Sequence, residues 1–199
     1  MSAPTPITRR CAPAATAICS AKASSVATPE ARPLRELAPW LIAAVVVAAL
    51  DQLTKQLVLA NLDYGQAIPV TGFFDLVLVY NPGAAFSFLA EHSGWQRWFF
   101  TVLAVMICGW LLRLMYQHRA EKLLPLAFAM IIGGAVGNVI DRLIHSAVVD
   151  FLYFHVGRYG WPAFNLADSA ITIGVVLMLW GQFRHDRRKA PDPTAENPS

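Results

Sequence analysis

Apolar residues gather into four long stretches, and the polar residues that interrupt them fall near particular ends. A helix needs roughly 20 mostly apolar residues to cross a bilayer. The first stretch covers 37–60, apolar through Leu50 and then broken by Asp51, Gln52 and Lys55. The others cover 98–116, 123–143 and 164–183. Two intervening segments change period. Residues 73–80 (FFDLVLVY) and 148–155 (VVDFLYFH) are β-branched, aromatic and partly alternating, a short-strand pattern. Asn81-Pro82-Gly83 follows the first of them as a turn signal. The pattern predicts an all-α membrane protein with four transmembrane helices and a small β-sheet on the outer membrane surface.

Composition supports this class. The chain is 56% hydrophobic and 15% charged, against about a quarter charged in soluble domains. This argues against a water-soluble globule. A net charge of +3 gives no nucleic-acid footprint. Cys11, Cys19 and Cys108 form neither a disulfide framework nor a zinc spacing. His145 and His155 have no third ligand at metal spacing. No metal and no cofactor is therefore expected.

Residues 1–36, with Pro4, Pro6, Pro13, Pro29 and Pro33, read as a disordered cytoplasmic extension. Arg9-Arg10 lacks the apolar run and small-residue cleavage site of an export signal. Residues 37–183 form the four-helix domain, and 184–199 a basic, proline-containing cytoplasmic tail. Arg32 and Arg35, then Arg113, Arg119 and Lys122, then Arg184, Arg187, Arg188 and Lys189 flank one side of the spans. Segments 61–97 and 144–163 hold only Arg97 and Arg158. The excess of positive charge places both termini in the cytoplasm and those two segments outside. Trp95, Trp98, Phe99, Trp161 and Phe164 suit an aromatic belt at the outer interface.

Carboxylates inside spans are costly and call for an explanation. Asp51 lies about 18 Å along its helix from Pro39, in the outer half. Asn138, Asp141 and Arg142 occupy the outward end of the third span, and Asn165 and Asp168 the first turn of the fourth. Asp150 lies between them. Polar groups from three helices thus converge on one layer. Asp51/Lys55 and Asn138/Arg142 are spaced i,i+4; Asn138/Asp141 and Asn165/Asp168 are i,i+3. Gly133 and Gly137 form a GxxxG spacing that suits helix packing.

Each feature has a structural reading beside the chemical one. Asp51 with Lys55 reads as a structural ion pair before a catalytic one. Asn81 before Pro82-Gly83 fits a plain turn. Asp141 and Arg142 could neutralise each other. Asp63, Asp75 and Glu91 read as solvated. Asp150 and Asp168 have no cation on their own helix face, and apolar residues flank both. Two such carboxyls facing each other would share one proton, a state suited to general acid–base work on water. The same pair would equally serve proton-coupled transport.

The motifs, taken in order, resemble the lipoprotein signal peptidase family (signal peptidase II). Asp51-Gln52-Leu53-Thr54-Lys55 resembles its D-x-x-x-K element, and Asn81-Pro82-Gly83-Ala84-Ala85-Phe86-Ser87 its N-x-G-A-A-F-S loop. The stretch from Gly133 to Arg142 is similar to its G-G-A-x-G-N-x-x-D-R helix. Val148-Val149-Asp150-Phe151 and Phe164-Asn165-Leu166-Ala167-Asp168-Ser169-Ala170 match the elements that hold its aspartates. Five motifs in order across residues 38–183 make the resemblance specific; the long N-terminal extension departs from it.

The resemblance implies a membrane-embedded aspartyl endopeptidase of the bacterial cytoplasmic (inner) membrane, with four spans and an outer β-cradle. Its substrate would be a prolipoprotein carrying a diacylglyceryl-modified cysteine, cut just before that cysteine, and its inhibitor a cyclic peptide such as globomycin. Asp150 and Asp168 would be catalytic. Asp51, Lys55, Asn81, Gly83, Asn138, Asp141, Arg142 and Asn165 would bind substrate or support the site. Membrane lipids are the surroundings, and no obligate protein partner is implied. The rivals are a proton-coupled transporter and a non-enzymatic scaffold.

Overall fold

The computed structural model describes residues 31–83 and 94–189. The expectations for 1–30, for Ala84–Ser87 of the loop motif, for Glu91 and for 190–199 lie outside the described residues. Helix α1 (Ala31–Asn61) is followed by strands β1 (Ala67–Thr71) and β2 (Phe74–Asn81). Then come α2 (Trp95–Gln117), α3 (Leu123–His145), β3 (Val148–Val156), β4 (Tyr159–Gly160) and α4 (Leu166–Lys189). Four stretches within these helices are long and apolar enough to cross a membrane: Leu34–Asn61, Trp95–Gln117, Leu123–His145 and Leu166–Arg184.

The hydropathy pattern located each helix among the described residues, and the boundaries differ for local reasons. Helix α1 starts at Ala31, six residues before the expected start, because Pro33 sits in its first turn, where no intrahelical N–H is needed. Pro125 is tolerated the same way in the first turn of α3. Helix α4 continues past Phe183 to Lys189, so the basic tail begins as helix.

Helix α3 is the central element. In its most apolar window 61% of residues are buried, against 11–22% in the other three spans. Gly133 lets it approach α1, since a Cβ there would stand 2.5 Å from the Ala44 carbonyl oxygen. Gly134, on another face, abuts the Ala167 carbonyl of α4 at the same distance. Phe128, Ala129 and Ile132 of α3 pack with Leu111 and Met115 of α2 and Ala44 of α1 into the main core. The outer faces are apolar too. Ile42, Val45, Val105, Trp110, Val176 and Trp180 are largely exposed, the surface of a bundle whose solvent is hydrocarbon.

The strands form one antiparallel sheet in the order β1-β2-β3-β4. β2 and β3 match the two expected strands within a residue at either end. β1 and β4 were not anticipated. Between Leu76↔Leu152 and Val79↔Asp150 the register slips by one residue, a β-bulge in β2. Adjacent Val77 and Leu78 are consequently both buried. The sheet joins the bundle through α3, whose C-cap Ser146 takes a left-handed φ of 63° so that β3 starts two residues later. Asp75, expected to be solvated, instead pairs across the strands with His155 (Oδ2 to Nε2, 3.2 Å).

Candidate active site

The ten residues singled out from sequence lie at the sheet end of the bundle and join one hydrogen-bonded network or its turn, Arg142 only through the Asn138 backbone carbonyl. The layer is recessed: Asp51 sits ten residues, about 15 Å, before the end of α1. Helix α4 begins at the same level, where Asp51 meets the Ala167 N–H, while α1 and α3 run on to meet the sheet.

Lys55 is the hub. It is 1% exposed, and its Nζ lies 2.7 Å from Asp51 Oδ2, 2.7 Å from Asp141 Oδ2 and 3.0 Å from Asn138 Oδ1. An ammonium has three N–H donors, and here each has an acceptor. Asp51 also reaches α4, its Oδ1 accepting the Ala167 N–H at 2.8 Å. Gly137 is required beside it, since a Cβ there would collide with the Asp51 carboxylate. Asp141 accepts the Val149 N–H at 3.1 Å and so fixes the start of β3. The alternative that Asp141 and Arg142 neutralise each other in a direct ion pair is not what the structure shows. Consecutive helix positions do not face each other, and Asp141 turns to α1. Arg142 donates to the Asn138 carbonyl at 3.3 Å, and its guanidinium lies 5.4 Å from the Phe100 ring centroid on α2.

Asn165 joins the two remaining aspartates. It is the residue before α4, and its Oδ1 accepts the Asp168 N–H at 2.9 Å, while Asp168 Oδ2 reaches back to the Asn165 N–H at 3.4 Å. This is a capping box, and it explains why the helix starts here. Backbone hydrogen bonds between Phe164 and Leu152 (2.8 and 3.0 Å) hold this corner against β3. The Asn165 Nδ2 then points at Asp150 Oδ1 (2.7 Å), with the Val149 carbonyl and Asn138 Oδ1 both at 3.2 Å. Asn138 donates to Asp168 Oδ1 at 2.8 Å. Asp150 Oδ2 accepts from Asn81 Nδ2 at 2.9 Å. Asn81 also forms the expected turn, its Oδ1 taking the Gly83 N–H at 3.0 Å. Gly83 itself has φ 122°, and a Cβ would stand 2.7 Å from the Phe100 ring.

Asp150 is 1% exposed and Asp168 is half-buried. Burial, reinforced by the Asp168 charge, pushes Asp150 up to about 7, against the opposing pull of hydrogen bonds from Asn81 and Asn165 and of the Lys55 charge. Among the described residues the layer places four carboxyls (Asp51, Asp141, Asp150, Asp168) near two cations (Lys55, Arg142), and Lys55 lies against the first two. Asp150 thus has, among them, no cation in direct contact to offset its burial.

One member of the network, Gln52, was read from sequence only as a break in an apolar run. Its Nε2 donates to Asp141 Oδ1 at 2.8 Å and to the Gly137 carbonyl at 3.1 Å. The signal was present: an amide beside Asp51, at a depth where unsatisfied polar groups are costly. Among the described residues no group of three His, Cys, Asp or Glu side chains is placed to hold a metal.

The fold resembles two solved structures, each described as a bacterial membrane enzyme. One is 29% identical with a TM-score of 0.69, covering 78% of this chain and 93% of that one. The other is 28% identical with a TM-score of 0.65, covering 73% and 92%. A four-span membrane enzyme is thus the class that fold and site define. The family model for signal peptidase (SPase) II matches residues 43–184. A lipoprotein signal peptidase of Azoarcus sp. (strain BH72) is 74% identical over 161 residues, 81% of this chain and 91% of the relative. One from Cupriavidus taiwanensis is 54% identical over 149 residues, 75% and 85% of the two chains. The chain belongs to the signal peptidase II family, a family of membrane proteases.

Proposed function

We propose that this protein is an aspartyl endopeptidase that removes the signal peptide from diacylglyceryl-modified prolipoproteins, cutting just before the lipidated cysteine. It works in the bacterial inner membrane, with both termini cytoplasmic and the sheet and site near the periplasmic face. The observation that carries this reading is the bridge from Asp150 to Asp168 through Asn165 and Asn138, with Asp150 buried and Asp168 partly open.

The pair holds one proton between two carboxyls. The ionised member takes a proton from water, whose oxygen attacks the scissile carbonyl carbon. The protonated member supports the developing oxyanion, and a proton then passes to the leaving amine. The two are linked through Asn165 and Asn138, so the steps belong to the pair. Asn81 and Asn165 hold Asp150 in place, and Asn138 does the same for Asp168. Arg142, Asn81 and Gly83 line the approach on which the substrate backbone is positioned. The Asp51–Lys55–Asp141 cluster fixes α1, α3 and β3 around the pair.

Depth accounts for the choice of substrate. A bond beside a diacylglyceryl-cysteine lies near the lipid headgroups. Each methylene withdrawn from the bilayer costs about 0.8 kcal/mol, so a site in water would be inaccessible to it. Proton-coupled transport finds no comparable support. The described buried polar side chains all lie toward the sheet end, leaving the other half of the bundle without a polar path.

The test is cleavage of lipid-modified precursor by purified Asp150→Asn and Asp168→Asn proteins, with globomycin as a control on the wild type. Loss of activity in both variants, and inhibition of the wild type, is expected. Full activity in either variant overturns the dyad.

A further inference from the structure

We infer that Gln52 is a positioning residue for the reaction, acting through Asp141 on the strand that carries Asp150; this rests on the Asp150–Asp168 reading above. The Asp141 carboxylate is a joint between three elements. Its Oδ2 takes Lys55 Nζ from α1 at 2.7 Å and the Val149 N–H from β3 at 3.1 Å. Its Oδ1 takes Gln52 Nε2 at 2.8 Å. Val149 immediately precedes Asp150, so the plane of the Asp141 carboxylate sets the height of Asp150 above the bundle.

The Gln52 amide is suited to lock that plane. Its orientation is fixed, because the Gly137 carbonyl at 3.1 Å can only accept, which obliges Nε2 rather than Oε1 to face α3. One N–H therefore goes to a rigid helix carbonyl and the other to Asp141 Oδ1, the shortest of its contacts, with Asp51 Oδ2 a longer third neighbour at 3.4 Å. Without that second donor the carboxylate keeps only its Oδ2 partners and is free to rotate about them, and the Val149 N–H loses a fixed acceptor. Lys55 cannot substitute, since its three donors are used by Asp51, Asp141 and Asn138. Gln52 makes no contact with Asp150 or Asp168, so its effect falls on geometry and hence on kcat rather than on substrate affinity.

Two variants separate this role from packing. Gln52→Met keeps the volume and removes the donor; kcat should fall about 10- to 100-fold, the scale of a small misplacement of a reacting group, with KM within about threefold of wild type. Gln52→Glu supplies a donor only when protonated. Its carboxyl would face Asp51 and Lys55 on α1 and Asp141 on α3, with Asp150 on β3 and Asp168 on α4 beyond them. Ionised, it repels Asp141; protonated, it has one O–H, which restores the donor to Asp141 Oδ1 though not the second one to the Gly137 carbonyl. The ratio of Gln52→Glu to wild-type kcat should therefore rise at least about tenfold from about pH 8 to about pH 5.5, while the Gln52→Met ratio stays flat. Taking ratios cancels the titration of the catalytic pair. Wild-type kcat in Gln52→Met, or parallel flat ratios in both variants, overturns the inference. Asp150→Asn is assayed alongside: inactive, it leaves the dyad standing whatever Gln52 does; active, it removes the dyad and this inference with it.

Discussion

Asp51 and Ala167 are 116 positions apart in sequence, yet Asp51 Oδ1 accepts the Ala167 N–H at 2.8 Å. A carboxylate on α1 thus caps the N-terminus of α4, while its other oxygen holds Lys55. Four N–H groups at a helix start lack intrahelical partners, and in a membrane each must find one. Asp51 supplies one and Asn165 another. The anion also suits the positive end of the helix dipole.

The cluster predicts an order of stabilities. Removing one partner of a buried ion pair leaves an uncompensated charge and typically costs about 3–5 kcal/mol. Lys55→Met strands two carboxylates and belongs at the top of that range. Asp51→Asn leaves one anion with one cation, and the asparagine oxygen still accepts the Ala167 N–H, so it should cost clearly less. Thermal unfolding of both variants in one detergent checks the order; an Asp51→Asn protein less stable than Lys55→Met would contradict it.

Asn165 has two roles that substitution can separate. Asn165→Ala loses the helix cap, worth about 1 kcal/mol, and the donor to Asp150. Asn165→Asp keeps a capping oxygen for the Asp168 N–H but sets a carboxylate against Asp150 Oδ1. Both should lose at least about 100-fold in kcat, while only the alanine variant loses the cap. If the aspartate variant keeps wild-type activity, the Asn165–Asp150 hydrogen bond is not needed for catalysis.

How much of this was legible differs from one residue to another. The four spans were, because a run of some 20 apolar residues has few other uses. So was the Asp51–Lys55 pair, which is local in sequence. The partner of Asp141 was not, since only the packing of α1 on α3 brings Lys55 to it, and Gly133 and Gly137 make that packing possible. The Asn165–Asp168 spacing was visible as one helix face, but its meaning as a capping box needed the helix start, the least certain feature of a hydropathy profile. β1 escaped notice because it is short, fully exposed and contains Pro69, as an edge strand can. The bulge at Val77–Leu78 and the Asp75–His155 pair depend on register between distant strands, which alternation within one strand does not specify.

Gly137 tests the packing directly. Asp51 cannot move aside for a methyl group, being held by both Lys55 and the Ala167 N–H. Gly137→Ala should therefore cost about 1–3 kcal/mol as overpacking and lower activity with it. Gly109→Ala on α2 is the control, since a Cβ there meets nothing within 4 Å. It should be neutral or slightly stabilising, as alanine is the better helix former. Equal effects at the two positions would mean that the α1–α3 contact is less constrained than it looks.

Asp150 makes the stability of the fold depend on pH. Its folded value is raised, from an ordinary 3.8 to about 7. A raised carboxyl favours the folded state while protonated in both states, and that contribution is lost as pH climbs from about 4 through about 7. A shift of this size amounts to something on the order of 2–4 kcal/mol. Asp150→Asn has no such titration. Its amide also meets the Asn81 N–H group unfavourably, but that penalty does not vary with pH. The difference in unfolding free energy, variant minus wild type, should thus grow in the variant's favour between about pH 4 and about pH 8, whatever its value at either end. Activity depends on the same proton and is lost in the same direction. Once the pair loses its last proton, above about pH 7, no acid remains to protonate the leaving amine, and kcat/KM should fall. A stability difference that stays flat over this range would show that Asp150 is ionised throughout, and would remove burial as the cause of the shared proton.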